Sequence, residues 1–319
     1  MTTELFEGID LDQLSHEFPT PVKIPPTVPG RICHIDADFL AYQVSADDEK
    51  ALSEMKNNCD MIIEKMRLMS GAEEIVLHLT PKGSDKGGRF DVAIQKEYQG
   101  NRKDKPKPKF LHVMREWMHK ERDATLWMEC EADDGMSIAQ YTAIAEGNRE
   151  LSVIATKDKD LTMVPGLQLD WDTGEITDTL DDFGYIILDE GNPNAKNPTK
   201  KIKGRGWKFF WSQMLTGDTA DNIQGIPKIW TPEYLTNKPK ACGAVMAYNI
   251  LAPVENNKQA FELVRDLYRD CGKGQGFVHW STGEEIPYGK VFQSEAQLLW
   301  MRRKEDINDA LHWMQEHCL

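Results

Sequence analysis

The chain has no apolar run approaching the roughly 20 residues that a membrane-spanning helix needs, and no membrane partner is expected. Its six cysteines (Cys33, Cys59, Cys130, Cys242, Cys271, Cys318) lie far apart and form no C-x-x-C pair. Its eight histidines form neither H-x-H nor H-E-x-x-H. A zinc site and a disulfide framework are therefore not expected, and a reducing cytoplasm fits best. Any metal here has to be a hard cation held by oxygen ligands. The opening MTTELFEGIDLDQ is acidic, which matches neither a secretory leader nor an Arg-rich transit peptide. There is also no excess of positive charge: 38 Lys and Arg face 52 Asp and Glu, for a net charge of −14.

That balance argues at first against a polyanionic partner, but the distribution matters more than the sum. From Lys82 to Arg122 twelve basic residues stand against six acidic ones, a basic segment inside an acidic protein. At 319 residues, 40% of them hydrophobic, the chain is long enough for a substantial core in one large or two modest domains.

Five prolines between Pro19 and Pro29 make residues 1–29 read as an extended arm. A βα rhythm follows, with strands expected at Arg31–Ile35, Glu74–Leu79, Thr125–Met128, Ser152–Ala155 and Leu167–Leu169. Helices are expected near 48–69, 109–121 and 133–146. Strands alternating with helices imply an α/β fold with a mostly parallel sheet. Trp171–Ile176 resembles a hairpin turn, and Asn192–Gly206 is polar, Lys-rich and loop-like. Helical segments dominate from Trp207 onward, at 207–216, 241–251, 258–271 and 294–316. The expected organisation is an arm (1–29), an α/β core (30–206) and a helical part (207–319).

The acids are placed by this rhythm. Asp36 ends the first strand, and Asp85 follows the second in a glycine-rich loop. Glu131, Asp133 and Asp134 follow the third, and Asp158 and Asp160 follow the fourth. Ligands of open α/β sheets bind outside the carboxyl ends of the strands, so acids in four successive βα connections converge on one crevice. Taken singly, Asp133 or Asp134 reads equally well as a helix cap, and Asp158-Lys-Asp160 as a solvated turn. Together they crowd, and a Mg²⁺ ion held partly by carboxylates and partly by substrate phosphate resolves the crowding. Asp218 and Asp221 in Gly217-Asp-Thr-Ala-Asp-Asn222 are a further pair, three apart and so on one side of a helical turn. The Gly225-Ile-Pro227 that follows signals a tight turn whose N–H groups suit a phosphate.

In this order the motifs resemble those of the flap-endonuclease and 5′-nuclease superfamily, most of all stand-alone phage 5′→3′ exonucleases. The resemblance lies in Ile35-Asp-Ala-Asp-Phe39, Asp85 with Glu97-Tyr-Gln-Gly-Asn-Arg102, Glu131-Ala-Asp-Asp134, Thr156-Lys-Asp-Lys-Asp160 and Gly217–Asn222 with Gly225–Pro227. It implies a PIN-like α/β core joined to a helix–three-turn–helix DNA-binding module at about 217–251. It implies metal ligands at Asp36, Asp85, Glu131, Asp133, Asp134, Asp158, Asp160, Asp218 and Asp221. Two Mg²⁺ ions, replaceable by Mn²⁺, are implied there, and K⁺ at the helix–three-turn–helix. The basic groups Arg89, Lys96, Arg102 and Lys103 are expected at the reacting phosphate. Tyr98, Gln99, Gly225, Ile226, Pro227 and Lys228 are expected along the DNA. Two departures stand out. Relatives commonly carry lysine where Gln99 stands, and Lys228–Lys238 reads as an insertion.

The implied activity is metal-dependent 5′→3′ exonuclease or flap endonuclease cleavage of DNA in phage replication or host DNA degradation. The chain is expected to act as a monomer on duplex, nicked or flapped substrates, with replication proteins as further partners. An RNase H-like enzyme acting on RNA–DNA hybrid, or an inactive DNA-binding scaffold, are the competing readings.

Overall fold

The computed structural model describes residues 24–192, 194, 196, 198–230 and 239–319. Most of the expected arm, and residues 231–238 of the expected insertion, lie outside the described residues.

A six-stranded sheet runs in the order β3-β2-β1-β4-β5-β6. Its strands are β1 (Val28–Asp36), β2 (Ala72–Leu79), β3 (Thr125–Leu126), β4 (Ser152–Ala155), β5 (Gly166–Leu169) and β6 (Ile176–Thr179). The first five pair in parallel and β6 returns antiparallel against β5, so the fold is α/β with a mostly parallel sheet, as expected. The expected turn at Trp171–Ile176 joins these last two strands, closed by Asp170 N–H to the Glu175 carbonyl at 2.9 Å.

Both faces of the sheet are covered, which is why Ser152–Ala155 is buried throughout rather than alternating. On one face α1 (Ala37–Val44), α2 (Leu52–Ser70) and, beyond the one-turn α3 (Arg89–Val92), α4 (Leu111–Glu121) bury Leu40, Met55, Met66, Met114 and Trp117 against Cys33, Ile35, Val153 and Ala155. On the other, Ile154 and Met136 of α5 (Ala132–Ala145) join a larger apolar core. That core is completed by α6 (Trp207–Thr216), α7 (Ala244–Leu251), α8 (Asn257–Gln275), α9 (Tyr288–Leu299) and α10 (Asp309–His317). Trp207 and Trp300 stack at its centre and Trp313 packs tilted against both, with ring centroids 4.6 to 4.9 Å apart.

Three elements differ from expectation. Helix α1 is only eight residues long, too short to show a period, and Asp36 caps it by accepting from Phe39 N–H at 2.9 Å. The Lys-rich stretch expected as a loop contains β8 (Lys201–Arg205), which pairs antiparallel with β7 (Tyr185–Asp189). The helix expected over 294–316 is two helices, because Arg302 and Arg303 between them turn inward to Asp134 and Asp309.

The strand order reverses at β1, which has β2 on one side and β4 on the other. In such sheets the crevice at the reversal, beyond the strand carboxyl ends, is the binding position. Asp36 ends β1, and the loop carrying Asp158 and Asp160 leaves β4.

Candidate active site

Each acid of the crevice is fixed by its own backbone. Besides capping α1, Asp36 accepts from Thr156 Oγ1 at 3.3 Å, a link from the end of β1 to the end of β4. Asp158 receives the Asp160 N–H at 2.8 Å, and its own N–H donates to Thr156 Oγ1 at 3.0 Å. Glu131 is the N-cap of α5, and Asp134 completes a capping box by accepting the Glu131 N–H at 3.1 Å. The capping role weighed for Asp134 alone is thus real, and compatible with a place in the acid cluster.

Helix α5 is pressed onto the sheet by a buried polar chain. Trp127 Nε1–H donates to His78 Nδ1 at 2.8 Å, and His78 Nε2 lies 3.0 Å from His34 Nδ1. An indole only donates, so His78 carries its proton on Nε2 and passes a hydrogen bond to His34. Burial pushes both imidazoles down, His34 to about 4, so the pair is neutral. The Trp127 ring lies where a Cβ on Gly135 would fall, 2.1 Å away, so glycine is required for α5 to bring Asp133 and Asp134 over the sheet.

The acids divide by their partners. Arg89, fully buried, makes hydrogen bonds to Asp134 at 2.5 and 2.9 Å and to Glu131 at 3.0 Å. Lys86 Nζ lies 3.0 Å from the other Glu131 oxygen, and Tyr98 Oη donates to Glu131 Oε2 at 2.7 Å. Burial works against a charged Asp134, yet the Arg89 and Arg302 guanidiniums hold it below the usual carboxylate range. At the opposite end, one carboxylate oxygen from each of Asp160, Asp218 and Asp221 lies within 4.8 Å of the other two. Lys159 Nζ sits 2.8 Å from Asp160 Oδ1 and 2.5 Å from Asp218 Oδ2. Arg102 reaches Asp221 Oδ1 at 2.6 Å, and Gln99 Nε2 reaches the same oxygen at 2.9 Å.

Between these ends stand Asp36, Asp133 and Asp158, which make no ion pair among the described residues. Burial, then the charge of Asp160 and also those of Asp36 and Asp221, raise Asp158 to about 8. Burial and the neighbouring Asp38 raise Asp36 to about 6. Asp133 is held well above its ordinary value by burial, Glu131, Asp134 and Asp158. Carboxylates from β1, β4, α5 and the Asp218–Asp221 loop therefore repel one another in one place, as the sequence order predicts.

The two motif segments are stapled together. Gln99 N–H donates to the Asp221 carbonyl at 2.8 Å, Asn101 Nδ2 to the Thr219 carbonyl at 2.7 Å, and Asn222 Nδ2 to the Glu97 carbonyl at 2.8 Å. The Asp218–Asn222 loop is closed by Gly217 and Gly225, both at positive φ; a Cβ would collide at 2.3 Å with the Ile223 carbonyl oxygen at the first and with the Gly217 nitrogen at the second.

Several expected site residues sit elsewhere than on the rim of the crevice. Asp85 is exposed, and its carboxylate is used locally, accepting from Gly87 N–H at 2.9 Å. Arg89 is too buried to touch a phosphate here and acts on acids instead. Tyr98 is buried as well and is committed to Glu131. Gly225 and Ile226 are buried, with their N–H groups given to Glu295 Oε2 at 2.8 Å and the Leu215 carbonyl at 3.1 Å. Pro227 has no N–H, so this turn presents no free amide from these three residues. Lys96, Lys103 and Lys228 are exposed, with Lys103 ion-paired to Glu97.

Three charged residues escaped the sequence reading. Asp38 accepts from Thr80 N–H at 3.1 Å and faces Arg115 at 2.9 Å; the signal was the i, i+2 spacing in Ile35-Asp-Ala-Asp-Phe39. Lys86 follows Asp85 in the glycine-rich loop, and Lys159 lies between two predicted ligands. Nothing in the local pattern distinguishes either from a solvated lysine.

Fold and site together define an α/β protein with an acid-lined crevice at the switch point of its sheet. No protein-family model and no curated protein sequence matches the chain. Among solved structures it is similar to a bacteriophage T5 protein co-crystallised with metal ions, at 15% identity and TM-score 0.47, covering 85% of this chain and 86% of that one. It is similar to a bacteriophage T5 flap endonuclease in a pseudo-enzyme–product complex with DNA and metal ions, at 14% identity and TM-score 0.47, covering 85% and 86%. It is also similar to the catalytic core of Rad2 in complex with DNA substrate, at 12% identity and TM-score 0.34, covering 78% and 69%.

Proposed function

We propose that the chain is a metal-dependent nuclease of the 5′-nuclease kind, hydrolysing DNA phosphodiesters at 5′ ends or flaps. The observation that carries this reading is the set of uncompensated acids: Asp36, Asp133 and Asp158 are pushed toward protonation by burial and mutual repulsion. Such an arrangement is unfavourable as it stands and suits hard divalent cations, whose preferred ligands are carboxylate oxygens. The donor set is all oxygen, and three carboxylate oxygens are already within one ion's span at Asp160, Asp218 and Asp221.

In this reading Asp36, Glu131, Asp133 and Asp158 hold one Mg²⁺, while Asp160, Asp218 and Asp221 hold a second or its waters. Two ions so bound supply an activated water and neutralise the leaving oxygen. The chain's own groups do the rest. Arg89 and Tyr98 fix Glu131 and Asp134 from beneath, as outer-shell partners do for ligating carboxylates. Gln99 and Arg102 fix Asp221. Lys86, Lys96 and Lys103 would supply the amines that meet phosphate, Lys86 and Lys103 after leaving Glu131 and Glu97, and the basic run Lys105–Lys109 would follow the DNA backbone. The described residues 217–230 and 239–251 would belong to the helix–three-turn–helix, with K⁺ as its cation. The N-terminal arm, the α/β core from residue 30 and the helical part from Trp207 are the functional divisions we assign.

The test uses nicked, flapped and blunt duplexes, labelled at the 5′ or the 3′ end, with Mg²⁺ and with chelator. An RNA–DNA hybrid runs beside them. Short fragments carrying the 5′ label, seen only with Mg²⁺, are expected; shortening from the 3′ end first contradicts the assignment.

A further inference from the structure

Two of the three acids at the Asp218 end of the crevice already share a cation of the chain's own, while the third, Asp221, is paired to Arg102. Lys159 Nζ bonds to Asp160 Oδ1 at 2.8 Å and to Asp218 Oδ2 at 2.5 Å, two of the three carboxylates that together have metal-binding spacing. The side chain is 53% exposed, so the ammonium is a tethered group at the mouth of the cluster rather than a locked part of the core. Its neighbours are otherwise fixed: Gln213 Nε2 donates to the same Asp160 oxygen at 2.6 Å, and Ala220 N–H to Asp218 Oδ1 at 2.7 Å. The carboxylates are thus held in place whether or not the lysine is there.

We infer that Lys159 is a resident counter-ion that competes with the divalent cation for the Asp160–Asp218–Asp221 group and keeps that site weak. An ammonium and a divalent ion cannot share the same carboxylate oxygens without strong repulsion, so metal entry requires Lys159 to leave. Both of its ion pairs must break, and each joins a half-exposed ammonium to a carboxylate that is nearly buried. The released ammonium remains tethered beside the crevice, so the exchange is reversible. In the first group Glu131 is paired to Lys86 and Arg89, but Asp36, Asp133 and Asp158 carry no ion pair among the described residues, so the two sites fill in order, the Asp158 end first. This deepens the proposed function and rests on its metal-binding reading.

The experiment is Mn²⁺ binding to the full chain without DNA, followed by calorimetry and by the Mn²⁺ spin-resonance signal of the free ion. Wild type is expected to bind one ion well and a second weakly. Lys159→Met keeps the aliphatic stem and removes the charge; it should tighten the second site on the order of tenfold, the scale of two ion pairs lost from the competition. Lys159→Arg, which keeps the charge, should stay as weak as wild type, and Lys86→Met, at the other end of the site, should leave the second constant unchanged. In the same samples Mn²⁺ should raise the melting temperature of Lys159→Met more than that of wild type. An unchanged or weakened second site in Lys159→Met, or equal tightening in Lys86→Met, overturns the inference while leaving the proposed function intact. Binding of no ion to any variant overturns both. If Lys159→Met does not fold, Lys159→Gln carries the same expectation.

Discussion

The phenol of Tyr98 donates to Glu131 Oε2 at 2.7 Å from a fully buried position. A residue expected along the DNA is thus a support for a candidate metal ligand. Tyr98→Phe should leave the fold intact and lower kcat or metal affinity about tenfold, the scale of losing an outer-shell hydrogen bond. DNA affinity measured without metal should stay at the wild-type value. A variant whose only defect is weaker DNA binding returns Tyr98 to the DNA surface.

Arg89 carries a related expectation. It is buried between Asp134 and Glu131, so Arg89→Met leaves two carboxylates with reduced compensation. Removing one partner of a buried ion pair costs about 3 kcal/mol or more. The loss should appear in the urea midpoint of unfolding. Wild-type stability with a selective loss of turnover would place Arg89 at the phosphate instead.

Metal-free stability should depend on pH with a defined sign. Asp36 and Asp160 are raised to about 6, and Asp158 to about 8, from an ordinary value of 3.8. A raised carboxyl contributes stability that is complete below its unfolded value and is lost as pH climbs through the folded one. His34, lowered from 6.5 to about 4, works the other way and costs stability as pH falls across that range. Melting temperature in chelator should therefore decline from pH 6 to 8, and Mg²⁺ should flatten that decline. Asp158→Asn should remove much of it and raise metal-free stability, whereas Asp134→Asn, which breaks the pairing with Arg89, should lower it. Equal shifts in the two variants would contradict the division of the acids.

Gln99 stands where a lysine is common in the resembling family, and here its amide holds Asp221 Oδ1 at 2.9 Å. Gln99→Lys keeps a donor at that carboxylate, so cleavage should stay near the wild-type rate or rise slightly. Gln99→Ala should lose about tenfold, as expected for an outer-shell partner. If both variants match wild type, the contact with Asp221 has no part in turnover.

The sheet was legible because its strands are short apolar runs between helices of strong period, and Ser152–Ala155 and Trp207–Thr216 fall where the sequence puts them. The convergence of Asp36, Asp133, Asp158 and Asp160 followed from their places after successive parallel strands. Pairing between charged side chains was not legible. Arg302 and Arg303, in a run that reads as solvated helix, turn inward and end α9. Gly225-Ile-Pro227 reads as an open turn, yet Glu295, distant in sequence, takes the Gly225 N–H. Local pattern carries element type and order; it does not say which charge finds a partner across the fold.

The central claim is that the crevice acids hold the ions that cut the backbone, and one comparison tests it most directly. Cleavage of a 5′-flapped duplex is followed across a Mg²⁺ series for wild type and Asp158→Asn, with binding of the same duplex measured in parallel. Cleavage should require Mg²⁺, and the variant should lose at least about a hundredfold in rate, roughly 2.7 kcal/mol of barrier, while binding persists or tightens. Cleavage by wild type in chelator, or a variant keeping more than about a tenth of the rate, which is under 1.4 kcal/mol of barrier, would contradict it.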